Sequence, residues 1–214
     1  MSTEHNFKAI SKAILDGYAL PWRGTHGVLH WARVWTNGLK VAEVNGADEE
    51  IVKLFALFHD SRRVNEWTDP DHGERGGDFA RELRGTLVHL DDDRFELLYE
   101  ACRLHTDGLT DGDPTEQACW DADRLDLGRV GMRPSPQRLC TDAARELIDW
   151  ANPRAEAGLQ VKEVLELWGL VDFSEACFTG DPKVREMIDA LKQEGESDAD
   201  VIDRKSTRLN SSHL

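Results

Sequence analysis

The stretch that decides the fold is Ile51-Val52-Lys53-Leu54-Phe55-Ala56-Leu57-Phe58-His59-Asp60. Its run from Ile51 to Phe58 is apolar except for one lysine, which predicts a helix buried on nearly every side. The helix then ends in an imidazole and a carboxylate. A buried carboxylate is costly unless it is paired or bound to a metal. The His59-Asp60 doublet therefore predicts a bound cation or a strong hydrogen-bond network.

The composition around this stretch is that of a soluble globular protein. The 214 residues are 40% hydrophobic and 31% charged, which suits one domain with a real core. No apolar run approaches the roughly 18 residues of a membrane span, and no secretory signal is visible at the N-terminus. We therefore expect a cytoplasmic protein with no membrane partner, whose four scattered cysteines are reduced core residues.

The net charge of −15 argues against a nucleic-acid polymer as partner, because both would be polyanions. A small anionic substrate in a local cationic pocket is compatible with this charge. The composition is also compatible with a homo-oligomer.

Apolar residues recur at spacings of three and four, and alternating strand patterns are absent, which predicts an all-α fold. Turn-forming residues predict a loop over 64–73, next to the doublet. The helices are expected at about 6–18, 25–45, 48–60, 74–83, 92–105, 115–130, 136–150, 159–170 and 183–193.

We expect a single helical domain over 1–193, with the candidate metal site in about 24–130. Residues 194–202 are expected to be a fraying tail. Residues 203–214 look like the translation of a sequencing-adapter oligonucleotide, so we exclude them from the fold as a non-native segment.

Further candidate ligands lie on both sides of the doublet in sequence. His26 and His30 are four residues apart, which predicts that both point to one face of a helix, with His30 the better candidate because it lies further inside. Asp121, Asp123 and Asp126 follow on a later helix, and only one of them is needed to complete a ligand set. Asp123 and Asp126 share a face, and part of this run is equally explained as a solvated surface.

The order His30, His59-Asp60, Asp123 resembles the HD superfamily of metal-dependent phosphohydrolases, whose pattern is an early His, a His-Asp doublet and a late Asp. The last of these lies in Ala-Asp-Arg-Leu, a form that the group often shows. The segments 58–63 and 119–128 are similar to a bacterial subgroup. The resemblance implies an all-α fold, these four metal ligands and a divalent metal used in phosphoester hydrolysis.

His72 and His105 bear on the number of metal ions. Some HD proteins place two more histidines between the doublet and the last aspartate to hold a second metal, and these two fall in that interval. Contact with substrate or capping of helices explains them equally well. Imidazole and carboxylate ligands suit one or two ions of Mn, Fe, Co, Ni or Mg, and they are also compatible with zinc.

Candidate substrate-binding residues follow the doublet directly. Arg62 and Arg63 are placed to grip a phosphate, with pairing to acidic side chains of the next loop as the alternative. Asp60, Arg63 and Glu66 are the candidate catalytic residues, with Glu66 a general acid or base that no spacing singles out. Trp67 is a candidate for stacking on a base or closing a lid.

The leading interpretation is a phosphohydrolase that acts on a small phosphomonoester or phosphodiester, with nucleotides among the candidates, through metal-activated water. Arg124 and Arg133 are weaker candidates for binding its phosphate. One alternative is an HD-type di-iron oxygenase, which would use His72 and His105. The other is a ligand-sensing module that keeps the metal for stability alone.

Overall fold

The computed structural model describes residues 5–170, and their secondary structure consists of α-helices and two short 3-10 helices, at Leu127–Val130 and Pro136–Arg138. The predicted all-α class is confirmed. The predicted helix 183–193, Cys177 and the two C-terminal segments lie outside the described residues. The α-helices are α1 Phe7–Asp16, α2 Val28–Asn45, α3 Glu49–Phe58, α4 His72–Glu82, α5 Asp92–Leu104, α6 Pro114–Arg124, α7 Asp142–Glu156 and α8 Lys162–Leu167.

Helix α3 is the centre of the fold, as its apolar sequence predicts. Asp48 caps it by accepting hydrogen bonds from the backbone N–H groups of Glu50 and Ile51, and acidic side chains in its first turn favour the helix dipole. Its apolar side chains are fully buried, and the helix contacts α1, α2, α4, α5 and α6. The doublet at its C-terminal end is therefore delivered into the interior.

Helix α2 crosses both α3 and α6 at close range, and Gly38 makes this approach feasible. A Cβ at Gly38 would lie 2.5 Å from Val52 Cγ1 on α3 and 3.2 Å from Ala122 Cβ on α6. Because the three helices meet here, candidate ligands on α2 and α6 can reach the end of α3.

The start of α2 differs from the prediction. The helix begins at Val28 and not near residue 25, because residues 22–27 form a turn in which the Val28 N–H donates to the Trp22 carbonyl at 2.8 Å. A Cβ at Gly27 would lie only 2.1 Å from that carbonyl oxygen. His26 thus precedes the helix, so the expectation that it shares a helical face with His30 was wrong.

The predicted loop over 64–73 also ends earlier than expected. Helix α4 begins at His72, so it includes Gly73, which was predicted to lie in the loop. A Cβ at Gly73 would lie 2.2 Å from the Cys102 carbonyl oxygen, and one at Gly76 would lie 2.2 Å from that of Phe58. These glycines let α4 pack against neighbouring backbone, a tertiary reason that outweighs their low helix propensity.

Two predicted helices near the C-terminal half are divided differently. The range 115–130 is α6 followed by a 3-10 helix, and 136–150 is a 3-10 helix followed by α7. Helix α7 also continues through Pro153, which is exposed, so water can reach the carbonyl that loses its donor. Within residues 5–170 no helix has both the length and the apolar character needed to cross a membrane.

Candidate metal centre

Two groups of candidate ligands meet at Asp60. His30, His59 and Asp60 form the first group, and Asp60, His72 and His105 form the second, with ligand atoms in each group within 4.8 Å of one another. Asp60 Oδ2 lies 3.5 Å from Nε2 of both His30 and His59, while Oδ1 lies 3.2 Å from His72 Nε2 and 3.9 Å from His105 Nε2. One buried carboxylate thus directs one oxygen toward each pair of histidines.

Asp123 approaches the first group from α6. Its Oδ1 lies 3.3 Å from His30 Nε2, although it stands outside the set of atoms within 4.8 Å of one another. That oxygen is buried and has no hydrogen-bond partner, and Arg129 Nη2 lies 3.6 Å from it, beyond hydrogen-bond distance. An orphaned carboxylate oxygen beside imidazole nitrogens fits a site for a cation.

The histidines of both groups are oriented by their Nδ1 atoms. Three of the four acceptors are backbone carbonyls, which only accept, so in the neutral ring the proton is fixed on Nδ1 and the lone pair on Nε2. These Nε2 atoms are the ones that face Asp60, which is the arrangement metal-ligating histidines require. The Nδ1 contacts are His59 to the Phe55 carbonyl (3.1 Å), His105 to that of Cys102 (2.7 Å), His72 to that of Asp69, and His30 to Asp126 Oδ2 (2.7 Å).

Within each pair the two Nε2 atoms approach one another closely. The distance is 3.1 Å between His30 and His59 and 2.9 Å between His72 and His105. Two lone pairs at this separation need a proton or a cation between them. The donor set of imidazole nitrogen and carboxylate oxygen therefore fits a divalent metal.

The pKa values of the first group also fit a site for a cation. Burial and nearby Arg129 disfavour a charge on His30, yet three surrounding carboxylates outweigh both effects and raise its pKa to about 9. Burial lowers the pKa of His59 to about 3. Burial would raise the pKa of Asp60, but its electrostatic interaction with His59 and hydrogen bonds from His30 and His72 hold that pKa well below its usual range. Without a metal, the group therefore takes up a proton on His30 as its positive charge.

Asp126 and Arg33 position His30, a role that sequence reasoning missed. Asp126 is buried, and its Oδ2 accepts from His30 Nδ1 while Arg33 donates from Nε to Oδ1 at 2.6 Å and from Nη2 to Oδ2 at 3.0 Å. Asp126 lies beyond the end of α6, in the turn before the 3-10 helix, so it does not share a helical face with Asp123 as predicted; the two carboxylates nevertheless lie against opposite nitrogens of the His30 ring. The three-residue spacing of Asp123 and Asp126 was the sequence signal that could have indicated this role. Nothing in the sequence indicated that Arg33 on α2 would be buried beside Asp126.

Asp121 has a separate structural role. It is fully buried, and its carboxylate accepts from the backbone N–H groups of Cys140 and Thr141 at 2.7 and 2.9 Å and from the Thr141 hydroxyl at 2.8 Å. It thereby fixes the start of α7 against α6. The interpretation of this acidic run as partly a solvated surface was wrong, because all three carboxylates face inward.

Arg63 lies at the second group, as its position after the doublet suggested. Its Nη1 is 3.3 Å from Asp60 Oδ1 and 3.0 Å from His72 Nε2, and its Nη2 donates to the Trp67 carbonyl at 2.7 Å. Arg63 therefore contacts the Asp60 oxygen that faces His72 and His105, while on the side of His30 the Nη2 of Arg129 lies 3.6 Å from Asp123 Oδ1.

Arg62 is placed differently from the prediction. Its Nη1 donates to the backbone carbonyls of Ile14 and Ser61 at 3.1 and 2.9 Å, and its guanidinium lies 3.4 Å from the centre of the Phe79 ring. Burial lowers the pKa of Arg62 to about 10. This side chain ties the end of α1 to α4, so we no longer expect it to grip phosphate.

Glu66 and Trp67 lie in the loop between α3 and α4. Glu66 Oε2 is 2.5 Å from Nδ1 of His26, whose ring stands edge-on to that of His30 with 6.3 Å between ring centres. The candidate acid or base is thus linked to the centre through a histidine. The Trp67 side chain is 85% exposed, so it has room to move toward a ligand.

No protein-family model and no curated protein matches this chain. A crystal structure described as a predicted HD superfamily hydrolase from an uncultured Thermotogales bacterium matches with a TM-score of 0.54 and 27% identity. The match covers 76% of this chain and 91% of that one. The predicted resemblance to the HD superfamily is confirmed, and the ligand cluster fits a metal-dependent hydrolase.

Proposed function

We propose that this HD-type helical domain hydrolyses a small phosphomonoester or phosphodiester with the help of a divalent metal. The observation that carries the proposal is the convergence of His30, His59 and Asp60 with the buried Asp123 oxygen that has no hydrogen-bond partner. A phosphoester substrate is supported by the arginines beside the cluster and by the resemblance to HD hydrolases.

In this proposal the first group, with Asp123, holds the metal. A bound divalent ion would polarise the phosphoryl group and lower the pKa of bound water. Asp126 and the carbonyl of Phe55 keep the two histidines in the tautomer that presents Nε2. Fixing the ligands in advance limits the reorganisation that the reaction would otherwise require.

Arg63 is proposed to bind the phosphate, since its guanidinium already lies 3.3 Å from Asp60 Oδ1. Glu66 and His26 are proposed to move a proton to or from the leaving group, because their hydrogen bond lies next to the ring of His30. Trp67 stays a candidate for covering the substrate from the exposed loop.

The test is phosphate release from a panel of nucleotides and sugar phosphates with Mn²⁺, Co²⁺ or Mg²⁺. Release should vanish with a chelator and fall by orders of magnitude in Asp60→Ala and Asp123→Ala, because each removes a ligand. Asp93→Ala, an exposed aspartate in the first turn of α5, serves as the matched control and should keep full activity. Absence of release with every metal and substrate would overturn the proposal.

A di-iron oxygenase is the second candidate, favoured by one observation. Asp60 faces both histidine pairs with separate oxygens, as a carboxylate shared by two ions would. Arg63 would then have to leave His72 to admit the second ion. Two irons per chain with O₂ consumption would establish this candidate, whereas hydrolysis with one bound ion would exclude it.

A further inference from the structure

A small pocket opens beside the metal centre, and its lining is the starting point. It has a volume of about 240 Å³, and its lining includes His105 and Asp123, which belong to the candidate centre. Binding sites for drug-sized ligands typically measure about 300–1,000 Å³. A ligand in this pocket would therefore be small, and it would lie in contact with Asp123.

Arg124 lines the same pocket and has an unsatisfied donor. The residue is 9% exposed, and its Nη1 donates to the Arg138 carbonyl at 3.0 Å and contacts Cys140 Sγ at 3.4 Å. Its buried Nη2 has no hydrogen-bond partner, and Arg124 forms no ion pair with any residue in 5–170. Buried guanidinium groups are normally paired, so the positive charge of Arg124 at the wall of this pocket lacks a compensating carboxylate.

The charges around the pocket are unusual for so acidic a chain. Arg138 is an exposed lining residue whose guanidinium forms no ion pair within the described part of the chain. Apart from Asp123, the lining contains no acidic side chain. Asp121 is nearby in sequence, but its carboxylate is occupied by the backbone of Cys140 and Thr141. Two arginines without carboxylate partners therefore face one small cavity in a protein of net charge −15.

We propose that this pocket binds a second anionic group of the substrate through Arg124 and Arg138, while the phosphate lies at the metal centre. This inference rests on the proposed function and narrows its substrate class. The substrate is then a small phosphoester that carries a carboxylate or a second phosphate. Thr106 lines the pocket as well and carries a hydroxyl group, whereas the hydroxyl of the lining residue Ser135 donates to Gln137 Oε1 at 2.8 Å.

The test compares two hydrolysis-resistant probes, phosphonoacetate and methylphosphonate, which differ by one carboxylate. Their affinities for the Mn²⁺-loaded protein are measured by calorimetry. We expect phosphonoacetate to bind at least about tenfold more tightly, since charge-assisted hydrogen bonds to arginine are strong. The ratio of the two affinities should fall toward one in Arg138→Gln and in Arg124→Gln. Because chelation of free Mn²⁺ is the same for every variant, the change in ratio isolates the arginines.

Arg133→Gln is the control, because Arg133 pairs with Asp149 outside this pocket and its loss changes the net charge equally. It should keep the wild-type ratio. Arg138→Gln keeps the test valid if Arg124→Gln fails to fold. The Arg138 side chain is exposed, and Arg138 contacts Arg124 only through its backbone carbonyl. Equal affinity for the two probes in the wild type, a ratio retained in both variants, or no binding of phosphonoacetate would overturn the inference.

Hydrolysis of glycerol phosphate and phosphoglycerate separates this inference from the proposed function. If both are hydrolysed with equal efficiency and the probes bind alike, the hydrolase proposal stands and the second anion site falls. If neither compound is hydrolysed, but the protein still binds phosphonoacetate more tightly than methylphosphonate and the arginine variants abolish this difference, the anion site is supported. Glycerol phosphate and phosphoglycerate are then excluded as substrates.

Discussion

At the scale of single residues, the centre depends on how each imidazole is held. His59, His72 and His105 donate to backbone carbonyls of their own segments, so their orientation follows from local helix geometry. His30 instead depends on the carboxylate of Asp126, which lies far along the chain. His30 is therefore the histidine most open to adjustment by substitution.

Asp126→Asn should lower the affinity for Mn²⁺ by roughly 10–100-fold, because it weakens the partner that orients and polarises His30. Calorimetric titration of the metal measures the effect. Asp121→Asn is the matched control: it is another buried aspartate of the same segment, but it contacts the backbone of Cys140 and Thr141 and not the cluster. Equal affinities in Asp126→Asn and the wild type would contradict the assigned role.

Metal binding should release about one proton at neutral pH. His30 has a pKa raised to about 9, so it is protonated below that pH, and Nε2 must lose its proton to bind a metal. The apparent association constant should rise about tenfold per pH unit from pH 6 to 8 and level off above about pH 9. His59 adds nothing in this window, because its pKa of about 3 leaves it neutral throughout.

Calorimetry in two buffers of different ionisation enthalpy counts the protons released. A count near zero at pH 7 would show that His30 is already neutral. The Asp126→Asn variant should release fewer protons, because a carboxylate that raises the pKa of His30 has been removed.

At the scale of elements, the centre depends on the close crossing of α2 with α3 and α6. Gly38→Ala should destabilise the fold by roughly 1–3 kcal/mol, because its Cβ would lie 2.5 Å from Val52 Cγ1. It should also weaken metal binding, since α2 and α6 carry His30 and Asp123. Chemical denaturation measures the first effect and metal titration the second.

Val44→Ala on the same helix is the control for this substitution. Val44 is 73% exposed, so its truncation should change stability by no more than about 0.5 kcal/mol. A Gly38→Ala variant as stable as this control would mean that the helix crossing tolerates the extra methyl group.

The element boundaries show how far local signals reach. The cap at Asp48 and the apolar run of α3 follow from sequence, because both are set within one turn or one face. The start of α4 does not, since Gly73 is predicted to lie in the loop, and its place in the helix follows from close packing against the Cys102 backbone. The position of His26 also does not follow from sequence, because a turn before α2 leaves this residue outside the helix that was predicted to contain it.

At the scale of the whole molecule, the hydrophobic core extends well beyond the ligand cluster. It includes buried side chains that lie outside both ligand groups, such as Ile10 of α1, Ile148 of α7 and Trp168 directly after α8. We therefore expect the metal-free chain to stay folded, unlike a module in which the metal serves stability alone.

A Mn²⁺ concentration of about 100 times Kd should add about 2.7 kcal/mol to the free energy of unfolding. For a chain of this size the corresponding rise in Tm is roughly 5–10 °C, measurable by thermal unfolding. The rise should disappear in Asp60→Asn and persist in His89→Gln, whose histidine is exposed. Unfolding of the domain by a chelator at 25 °C would instead favour the metal-for-stability alternative.

The sequence by itself determined the all-α class, the buried helix α3, and the order of His30, the doublet and Asp123, because periodicity and motif order are written along the chain. Tertiary structure alone decided that Asp60 faces both histidine pairs, that Asp126 and not Asp123 orients His30, and that Arg62 packs on Phe79. The physical reason is that a hydrogen-bond partner is chosen by the approach of helices distant in sequence. No local pattern encodes that approach.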